Sequence, residues 1–188
     1  MLLRRGMLCG GVVDVFFGTD QFFAEVDDFW WWAHLILSIL NGKKLGFYVT
    51  IIDDRPEFAS AKRFPKADGI AAEDFSHAIQ RLEITSSSYI VIVTRDHLHD
   101  AMFLEWAATT SAAYVGMVGS KKKVRDVFGQ LEMKGTTSDL LACVHAPIGL
   151  AIDAASPEET AVSIMAKIIQ IRKQPEGAKQ GSDLKSNS

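Results

Sequence analysis

The chain of 188 residues contains few cysteines and no long apolar run. Its two cysteines, Cys9 and Cys143, are too few for a disulfide framework and form no CxxC pair, which favours a reducing, cytoplasmic setting. The apolar stretch 29–40 is shorter than the about 20 residues that a bilayer-spanning helix needs. Asp14 interrupts the apolar run at the N-terminus. The sequence therefore predicts neither a membrane segment nor a secretory signal.

The charge likewise lacks a dominant sign. Twenty Lys and Arg residues stand against 23 Asp and Glu residues, so the formal net charge is −3. A balance of this kind gives no electrostatic attraction of the whole molecule to nucleic acid or to an acidic membrane. Apolar residues make up 48% of the chain, which is typical of a globular domain with a substantial core.

Several motifs that carry chemistry are also missing. The sequence contains no phosphate-binding P-loop, no nucleophile elbow and no glycine-rich dinucleotide-binding pattern. His97 and His99 stand beside Asp96 and Asp100, but their spacing fits neither one face of a helix nor the usual zinc patterns, so no metal site is predicted. Cys143 lies in an apolar run and is predicted to be part of the core.

The pattern that is present is an alternation of strands and helices. The strands are continuous apolar runs rich in β-branched and aromatic residues, which indicates a parallel sheet covered on both faces. We therefore predict a single α/β domain with a Rossmann-like parallel sheet and helices on both faces. The predicted strands are 46–52, 89–94, 113–118 and 142–145, and the predicted helices are 72–82, 98–109, 119–134 and one that begins at residue 157.

The last helix has the clearest start. Ser156 is suited to the N-cap, Pro157 to the first helical position, and Glu159 to closing a capping box. Beyond residue 173 the sequence is polar and shows no apolar periodicity, so residues 174–188 are predicted to form a disordered tail.

Ligands of parallel α/β sheets bind beyond the carboxyl ends of the strands. Asp53, Asp54 and Arg55 follow the first predicted strand, and Asp53 stands where a Rossmann domain keeps the acid that binds ribose hydroxyls. The alternative is that these residues form only a polar turn. Thr94 ends the second predicted strand and is a further candidate.

The third strand leads into the start of a helix with three consecutive lysines, 121–123. Lysines at a helix N-terminus oppose the helix dipole, and free backbone amides there favour an anion, so a bound phosphate would relieve the conflict. The candidates in this segment are Gly116, Gly119, Ser120 and Lys121. The alternative is that the lysines are simply solvated on an exposed turn.

His145 follows the fourth predicted strand in a turn that also contains Pro147 and Gly149. It could contact a ligand or transfer a proton, although a lone histidine is more often a structural hydrogen-bonding group. No catalytic residue is assigned from these patterns.

Four segments together resemble one family. LGFYVTIIDDRPEFA (45–59), AAYVGMVGSKKK (112–123), HAPIGL (145–150) and SPEETAVSI (156–164) are similar in order and spacing to the C-terminal Rossmann domain of the XdhC family of xanthine dehydrogenase accessory proteins. The resemblance extends over about two-thirds of the chain, from residue 46 to residue 172.

The resemblance implies a cofactor-handling accessory protein more than a catalyst. Such a protein would bind molybdenum cofactor, which is molybdopterin in its mono- or dinucleotide form, and assist its sulfuration and insertion into xanthine dehydrogenase-type molybdenum hydroxylases. A cysteine desulfurase and a second copy of the chain are the further partners implied. Two alternatives stay open: an NAD(P)-dependent oxidoreductase, which the fold permits, and an inactive product of a degraded gene.

The chain departs from the family pattern at two places. Ala151 stands where family members usually have an acidic residue. Residues 30–34, Trp-Trp-Trp-Ala-His, stand where the family has a Gly-Gly-Gly-His type of turn before its first helix. Glycines at such a turn let the backbone approach a pyrophosphate, whereas three indoles would block it.

A shift of the reading frame would explain the second departure. Tryptophan has a single codon, so the codons of residues 28–34 must read GAY TTY TGG TGG TGG GCN CAY. Shifted by one nucleotide they encode three glycines, with Ile-Phe allowed before them and His-Ile allowed after them. The turn would then stand about 20 residues before Asp53, as in dinucleotide-binding domains.

The domain assignment follows from this hypothesis. Residues 1–17 resemble the end of the family's N-terminal domain, and residues 18–44 are assigned to an aberrant, out-of-frame segment. Residues 45–173 are assigned to the Rossmann domain and residues 174–188 to the tail. The chain is accordingly expected to be N-terminally truncated and to bind its ligand weakly or not at all.

Overall fold

The computed structural model describes residues 12–18, 45–94 and 97–173. Six strands form one sheet: β1 (Val12–Gly18), β2 (Tyr48–Asp53), β3 (Gly69–Ala72), β4 (Ser88–Thr94), β5 (Tyr114–Met117) and β6 (Val144–His145). The described helices are α1 (Phe75–Arg81), α2 (His97–Ala108), α3 (Lys121–Met133), α4 (Ser138–Ala142) and α5 (Pro157–Lys173).

The strand order is β3-β2-β1-β4-β5-β6, and every neighbouring pair is parallel. The chain moves outward in one direction from β1 to β3 and in the other from β4 to β6. The order therefore reverses between β1 and β4, which is the topological switch point of a Rossmann fold. The predicted α/β class with a parallel sheet is confirmed.

The two faces of the sheet pack against different helices. On one face, Val49, Ile51 and Val91 lie in a cluster with the buried side of α5. On the other face, Ile52 and Ile92 lie in a cluster with residues of α1, α2, α3 and α4. Because side chains alternate along a strand, runs with apolar residues at every position supply both faces at once.

Strand β1 lies in the centre of the sheet. The domain assignment from sequence placed residues 1–17 in a preceding domain, whereas the structure pairs Val13 with Val49 of β2 and with Tyr89 of β4. A β-branched and aromatic run is suited to this position, where its backbone hydrogen-bonds to a strand on each side. The remaining residues of the assigned segments 1–17 and 18–44 and the tail 174–188 lie outside the described residues.

Two short elements differ from the sequence prediction. Strand β3 has only four residues and begins at Gly69, so its pattern is too short to predict. Helix α4 was not predicted either, and its C-cap is Cys143. The prediction that Cys143 lies in the core is wrong: its side chain is exposed, and its thiol donates to the Asp139 carbonyl at 3.4 Å.

The capping box at the start of α5 is confirmed. The Glu159 backbone N–H donates to Ser156 Oγ over 3.2 Å, and the Ser156 N–H donates to Glu159 Oε2 over 3.1 Å. The Ala155 N–H donates to the same carboxylate oxygen at 2.8 Å. These backbone hydrogen bonds hold the pKa of Glu159 below its usual value.

The described helices are too short or too polar for a membrane. Within residues 12–18, 45–94 and 97–173, no helix combines the length and the apolar character needed to cross a bilayer.

Candidate functional site

The candidate residues lie along one edge of the sheet. Asp53 is in register with Phe17 of β1, and Thr94 of β4 is in register with Gly18 of β1. His145 is in register with Gly116 of β5. Neighbouring strands are about 4.8 Å apart, so the tips of β2 and β4 are separated by about 10 Å and those of β2 and β6 by about 19 Å. The edge thus brings Asp53 and Thr94 to the switch point and leaves His145 at its far end.

Asp53 ends β2 with a carboxylate that is already engaged. Its side chain is 3% exposed. Oδ1 accepts from the Arg55 backbone N–H at 2.9 Å and from Arg55 Nε–H at 3.2 Å, and Oδ2 accepts from Arg55 Nη2–H at 3.4 Å. Burial raises the pKa of Asp53, while the Arg55 hydrogen bonds act in the opposite direction. A ribose hydroxyl would have to compete with Arg55 for this carboxylate.

Arg55 also stacks on an aromatic ring. Its Cζ lies 3.6 Å from the centroid of the Phe58 ring, and the Cζ of Arg63 lies 4.8 Å from the same centroid. Two guanidinium groups and one ring therefore form a cationic cluster directly beyond Asp53. The sequence pattern indicated Arg55 but not Phe58 and Arg63, because nothing in the spacing shows that the loop folds back.

Asp54 and Thr94 complete this end of the edge. Asp54 is half-buried beside Asp53, and after burial its charge is a further cause that raises the pKa of Asp53. Thr94 is the last residue of β4, next to the switch point, and only its backbone is described.

Gly116 serves internal packing. A Cβ on Gly116 would lie 2.6 Å from the Tyr114 hydroxyl and 2.7 Å from side-chain atoms of Ile148. Both distances are shorter than real contacts, so this strand position requires glycine to admit the loop that follows β6. The packing accounts for Gly116 without any ligand.

The start of α3 has a hydrogen-bonded N-cap and two exposed lysines. Ser120 is the N-cap, and its Oγ accepts from the Lys123 N–H at 3.2 Å. Gly119 precedes it, and a Cβ there would lie 3.0 Å from Lys123 Cδ. Lys121 and Lys122 are exposed, so they are available to an anion at the sheet edge.

Lys123 has a different role from its two neighbours. Its Nζ lies 2.5 Å from Oδ2 of Asp100, a side chain in the first turn of α2 that is fully buried. One of the three lysines that the sequence pattern groups together thus neutralises an internal carboxylate and joins α3 to α2. The residue pattern did not show this, because Asp100 is 23 positions away in the chain.

His145 stacks on Tyr114. The ring centroids are 4.8 Å apart and the planes are 18° from parallel. Tyr114 is buried, which raises the pKa of its hydroxyl. His145 itself is half-buried at the outer strand of the sheet, away from the switch point.

Candidate metal ligands do not form a cluster within the part of the chain that the structure describes. Among the described residues, no three His, Cys, Asp or Glu side chains come close enough together to hold a metal ion. The groups that the structure describes at this edge include the Arg55 guanidinium, the exposed ammonium groups of Lys121 and Lys122, and the hydrogen-bonded Asp53 carboxylate.

Comparison with known proteins shows which family the sequence matches. Residues 36–168 match the family model described as the XdhC Rossmann domain. The chain is 31% identical over 134 residues to the protein YqeB of Escherichia coli (strain K12), which covers 71% of this chain and 24% of that protein. It is 30% identical over 128 residues to a protein of Bacillus subtilis (strain 168) that is named as a probable xanthine dehydrogenase subunit, covering 68% of this chain and 37% of that protein.

A solved structure shows the same fold. The crystal structure of a xanthine dehydrogenase from Bacillus halodurans superimposes with a TM-score of 0.68 at 25% identity, over 89% of this chain and 45% of that chain. The chain therefore spans less than half the length of each of these relatives. The family model covers most of the chain, from just beyond residues 30–34 into α5. The chain belongs to the XdhC Rossmann domain family.

Proposed function

We propose that this chain is the Rossmann domain of an accessory protein that binds molybdenum cofactor and assists its sulfuration and insertion into a xanthine dehydrogenase-type hydroxylase. The observation that carries the proposal is the family match over residues 36–168, together with the relatives whose names refer to xanthine dehydrogenase. The hydroxylase is the proposed partner, and a cysteine desulfurase and a second copy of the chain are further proposed partners.

The residues at the sheet edge fit the anionic part of such a ligand. Arg55 lies beyond β2, and Lys121 and Lys122 are exposed at the start of α3. Guanidinium and ammonium groups beside free helix-start amides bind phosphate groups. When bound, the cofactor would supply the molybdenum and the pterin that holds it; the described side chains would bind and orient its phosphate.

The proposed roles of Arg55 and Lys121 in ligand binding follow from the shape and charge of their side chains. Arg55 provides planar, bidentate donors at one end of the edge, and Lys121 provides a point charge three strands away. A ligand with one charged group at each end would be held across the switch point. We propose no proton-transfer or covalent step for these residues, because the role is binding and handover.

A charge-reversal pair at the two ends of α3 tests the proposal. Lys121→Glu places a carboxylate at the helix N-terminus, where it favours the helix by about 0.3–1 kcal/mol, so lost ligand binding could not be ascribed to unfolding. Lys134→Glu makes the same charge change at the C-cap, beside the opposite edge of the sheet. It is the matched control.

Both variants are co-expressed with a xanthine dehydrogenase-type hydroxylase in a host that lacks its own accessory protein of this family. Hydroxylase activity and molybdenum content are measured. The expected result is that the unaltered chain and Lys134→Glu raise both quantities and Lys121→Glu does so at least tenfold less. The proposal is wrong if the unaltered chain has no effect on either quantity. Nicotinamide-dependent turnover of small alcohols and aldehydes by the purified chain would instead support an NAD(P)-dependent oxidoreductase.

A further inference from the structure

We propose that the tip of β2 binds a terminal phosphate monoester through Arg55, flanked by Phe58 and Arg63, and does not bind a ribose diol. This inference rests on the proposed function and specifies the form of the ligand. A cofactor that ends in a phosphate monoester would fit the site, whereas a form that ends in a nucleoside would not.

The first observation is that the Asp53 carboxylate is buried and already engaged by Arg55. Ribose recognition at this position needs a carboxylate that accepts hydrogen bonds from two hydroxyls. Both carboxylate oxygens of Asp53 already accept from Arg55, and the residue is 2% exposed. To bind a diol, the protein would have to break this pair and expose the carboxylate.

The second observation is that Arg55 keeps donors that its contacts with Asp53 do not use. A guanidinium carries five N–H donors, and the contacts to Asp53 use one on Nε and one on Nη2. The Arg55 side chain is 29% exposed to solvent. In the described part of the chain, Nη1 therefore has donors that can bind an acceptor from solution.

The third observation is that the loop holding these groups is braced. The Phe58 and Ala59 backbone N–H groups both donate to the Arg55 carbonyl at 2.9 Å. The Arg63 and Phe64 N–H groups donate to the Ser60 carbonyl at 3.0 and 2.9 Å. Ala59 and Phe64 are each only 4% exposed, so two consecutive turns are anchored in the core and hold Arg55, Phe58 and Arg63 together.

The chemistry of this cluster selects a dianion. Arginine binds phosphate through its planar donor geometry, and the contact of Arg55 Cζ with the Phe58 ring restrains the guanidinium. A phosphate monoester carries up to two negative charges near neutral pH, whereas a diester carries one and a ribose diol carries none. The cluster should therefore rank ligands as monoester, then diester, then unphosphorylated nucleoside.

Three adenine compounds separate these possibilities. Adenosine 5′-monophosphate has a monoester and a diol, cyclic 3′,5′-adenosine monophosphate has a diester and no diol, and adenosine has a diol and no phosphate. Binding to the full chain is titrated by NMR at the arginine Nε–Hε resonances, a method suited to weak affinities. We expect the monoester to bind at least tenfold more tightly than the other two and to shift the Arg55 signal.

Variants of Arg55 assign the contact. Arg55→Gln should weaken binding of the monoester at least tenfold, and Arg55→Lys should weaken it less, because the charge is kept and the fork is lost. Arg81→Gln is the matched control, since Arg81 pairs with Glu73 on the surface at the far end of α1 and should leave the affinity unchanged. Circular dichroism confirms folding of each variant.

Asp53→Asn distinguishes phosphate from ribose recognition. If Arg55 binds a phosphate, removal of the neighbouring negative charge should leave monoester affinity unchanged or increase it. If Asp53 binds a diol, the same variant should abolish binding of the monophosphate and of adenosine alike. Equal affinity for adenosine and its monophosphate, no binding of the monophosphate, or insensitivity to Arg55→Gln would each overturn the inference.

Failure of the phosphate site at Arg55 can be distinguished from failure of the proposed function. If the monoester does not bind at Arg55 but the chain still raises the molybdenum content of the hydroxylase, only the subsite is wrong. If the monoester binds at Arg55 but the hydroxylase gains no molybdenum, the proposed function is wrong and the phosphate site stands.

Discussion

At the scale of single residues, two glycines differ in whether the structure has room for a Cβ atom. Gly149 has φ of +89°, and a Cβ there would collide with Ser163 Oγ and lie 3.1 Å from the Ile164 backbone nitrogen. Gly129 lies within helix α3, and a Cβ at that position would meet nothing within 4 Å. One glycine is required by the loop that packs on α5, and the other only weakens a helix.

The same substitution at these two positions should therefore change stability in opposite directions. Gly149→Ala is expected to lower the free energy of unfolding by about 2–3 kcal/mol, from overpacking and an unfavourable φ. Gly129→Ala is expected to raise it by about 0.5–1 kcal/mol, from helix propensity. Urea unfolding measures both; equal effects would show that the contact with Ser163 is unimportant.

The buried pair between Asp100 and Lys123 leads to a second residue-scale prediction. Lys123→Met leaves the fully buried Asp100 carboxylate without its cation and is expected to cost about 2–4 kcal/mol, reduced from the full value of a buried pair because Lys123 is 15% exposed. Lys122→Met, at an exposed position, should change stability by less than about 0.5 kcal/mol.

A double variant identifies the cause. If the uncompensated charge is responsible, Asp100→Asn combined with Lys123→Met should be more stable than Lys123→Met alone. A double variant that is less stable than the single one would indicate lost packing instead. Denaturant unfolding of the three variants at constant pH makes the comparison.

At the scale of elements, α5 is the described helix that covers one face of the sheet. Its start is secured by the Ser156–Glu159 capping box, and the Leu150 N–H donates to the Ser163 carbonyl at 3.2 Å. The helix therefore also anchors the loop after β6. Loss of the cap should therefore lower the free energy of unfolding of the whole domain.

The capping box should make stability depend on pH. The pKa of Glu159 is lowered in the folded state, so its contribution is present above the usual value of 4.5 and is lost as pH falls through the lower, folded value. Glu159→Ala is thus expected to lower the Tm at pH 7, with a difference from the unaltered chain that shrinks below pH 4.5.

Thermal unfolding followed by circular dichroism from pH 7 to pH 3 measures this effect. Ser156→Ala removes the other half of the box and should cost about 1 kcal/mol with little dependence on acid pH, since its hydroxyl does not titrate. A Tm difference for Glu159→Ala that stays constant down to pH 3 would contradict a role for the carboxylate charge.

At the scale of the whole molecule, the hypothesis of a frame shift in residues 18–44 leads to a prediction about ligand binding. The family match begins at residue 36, just beyond the three tryptophans at 30–32. A frame-restored chain with a glycine turn at this point should bind a pterin that carries a phosphate monoester at least tenfold more tightly than the chain as it stands, because glycines let the backbone approach a phosphate closely.

Two measurements test this prediction. Sequencing of the gene should show that a one-nucleotide shift yields Gly-Gly-Gly-His at codons 30–33. Thermal-shift titrations of both chains with the phosphate-monoester form of molybdenum cofactor should show the larger stabilisation for the frame-restored chain. Clear stabilisation of the unaltered chain at micromolar ligand would show that the glycine turn is not needed.

The sequence by itself determined the fold class, the family and the start of α5. Continuous β-branched runs can be buried only in a sheet covered on both faces, and Ser156, Pro157 and Glu159 satisfy a helix start through neighbours within three positions. The helix start depends on neighbours in the chain and the strands on the residue types within each run, so a residue pattern is enough to predict them.

Only the tertiary structure decided what the candidate side chains do. It placed β1 between β2 and β4, paired Lys123 with Asp100, and exposed Cys143 at the end of an unpredicted helix. It also hydrogen-bonded Asp53 to Arg55 and placed the Arg63 guanidinium beside the Phe58 ring. These contacts depend on how loops fold back and which strands become neighbours, and that is set by packing of the whole domain rather than by spacing along the chain.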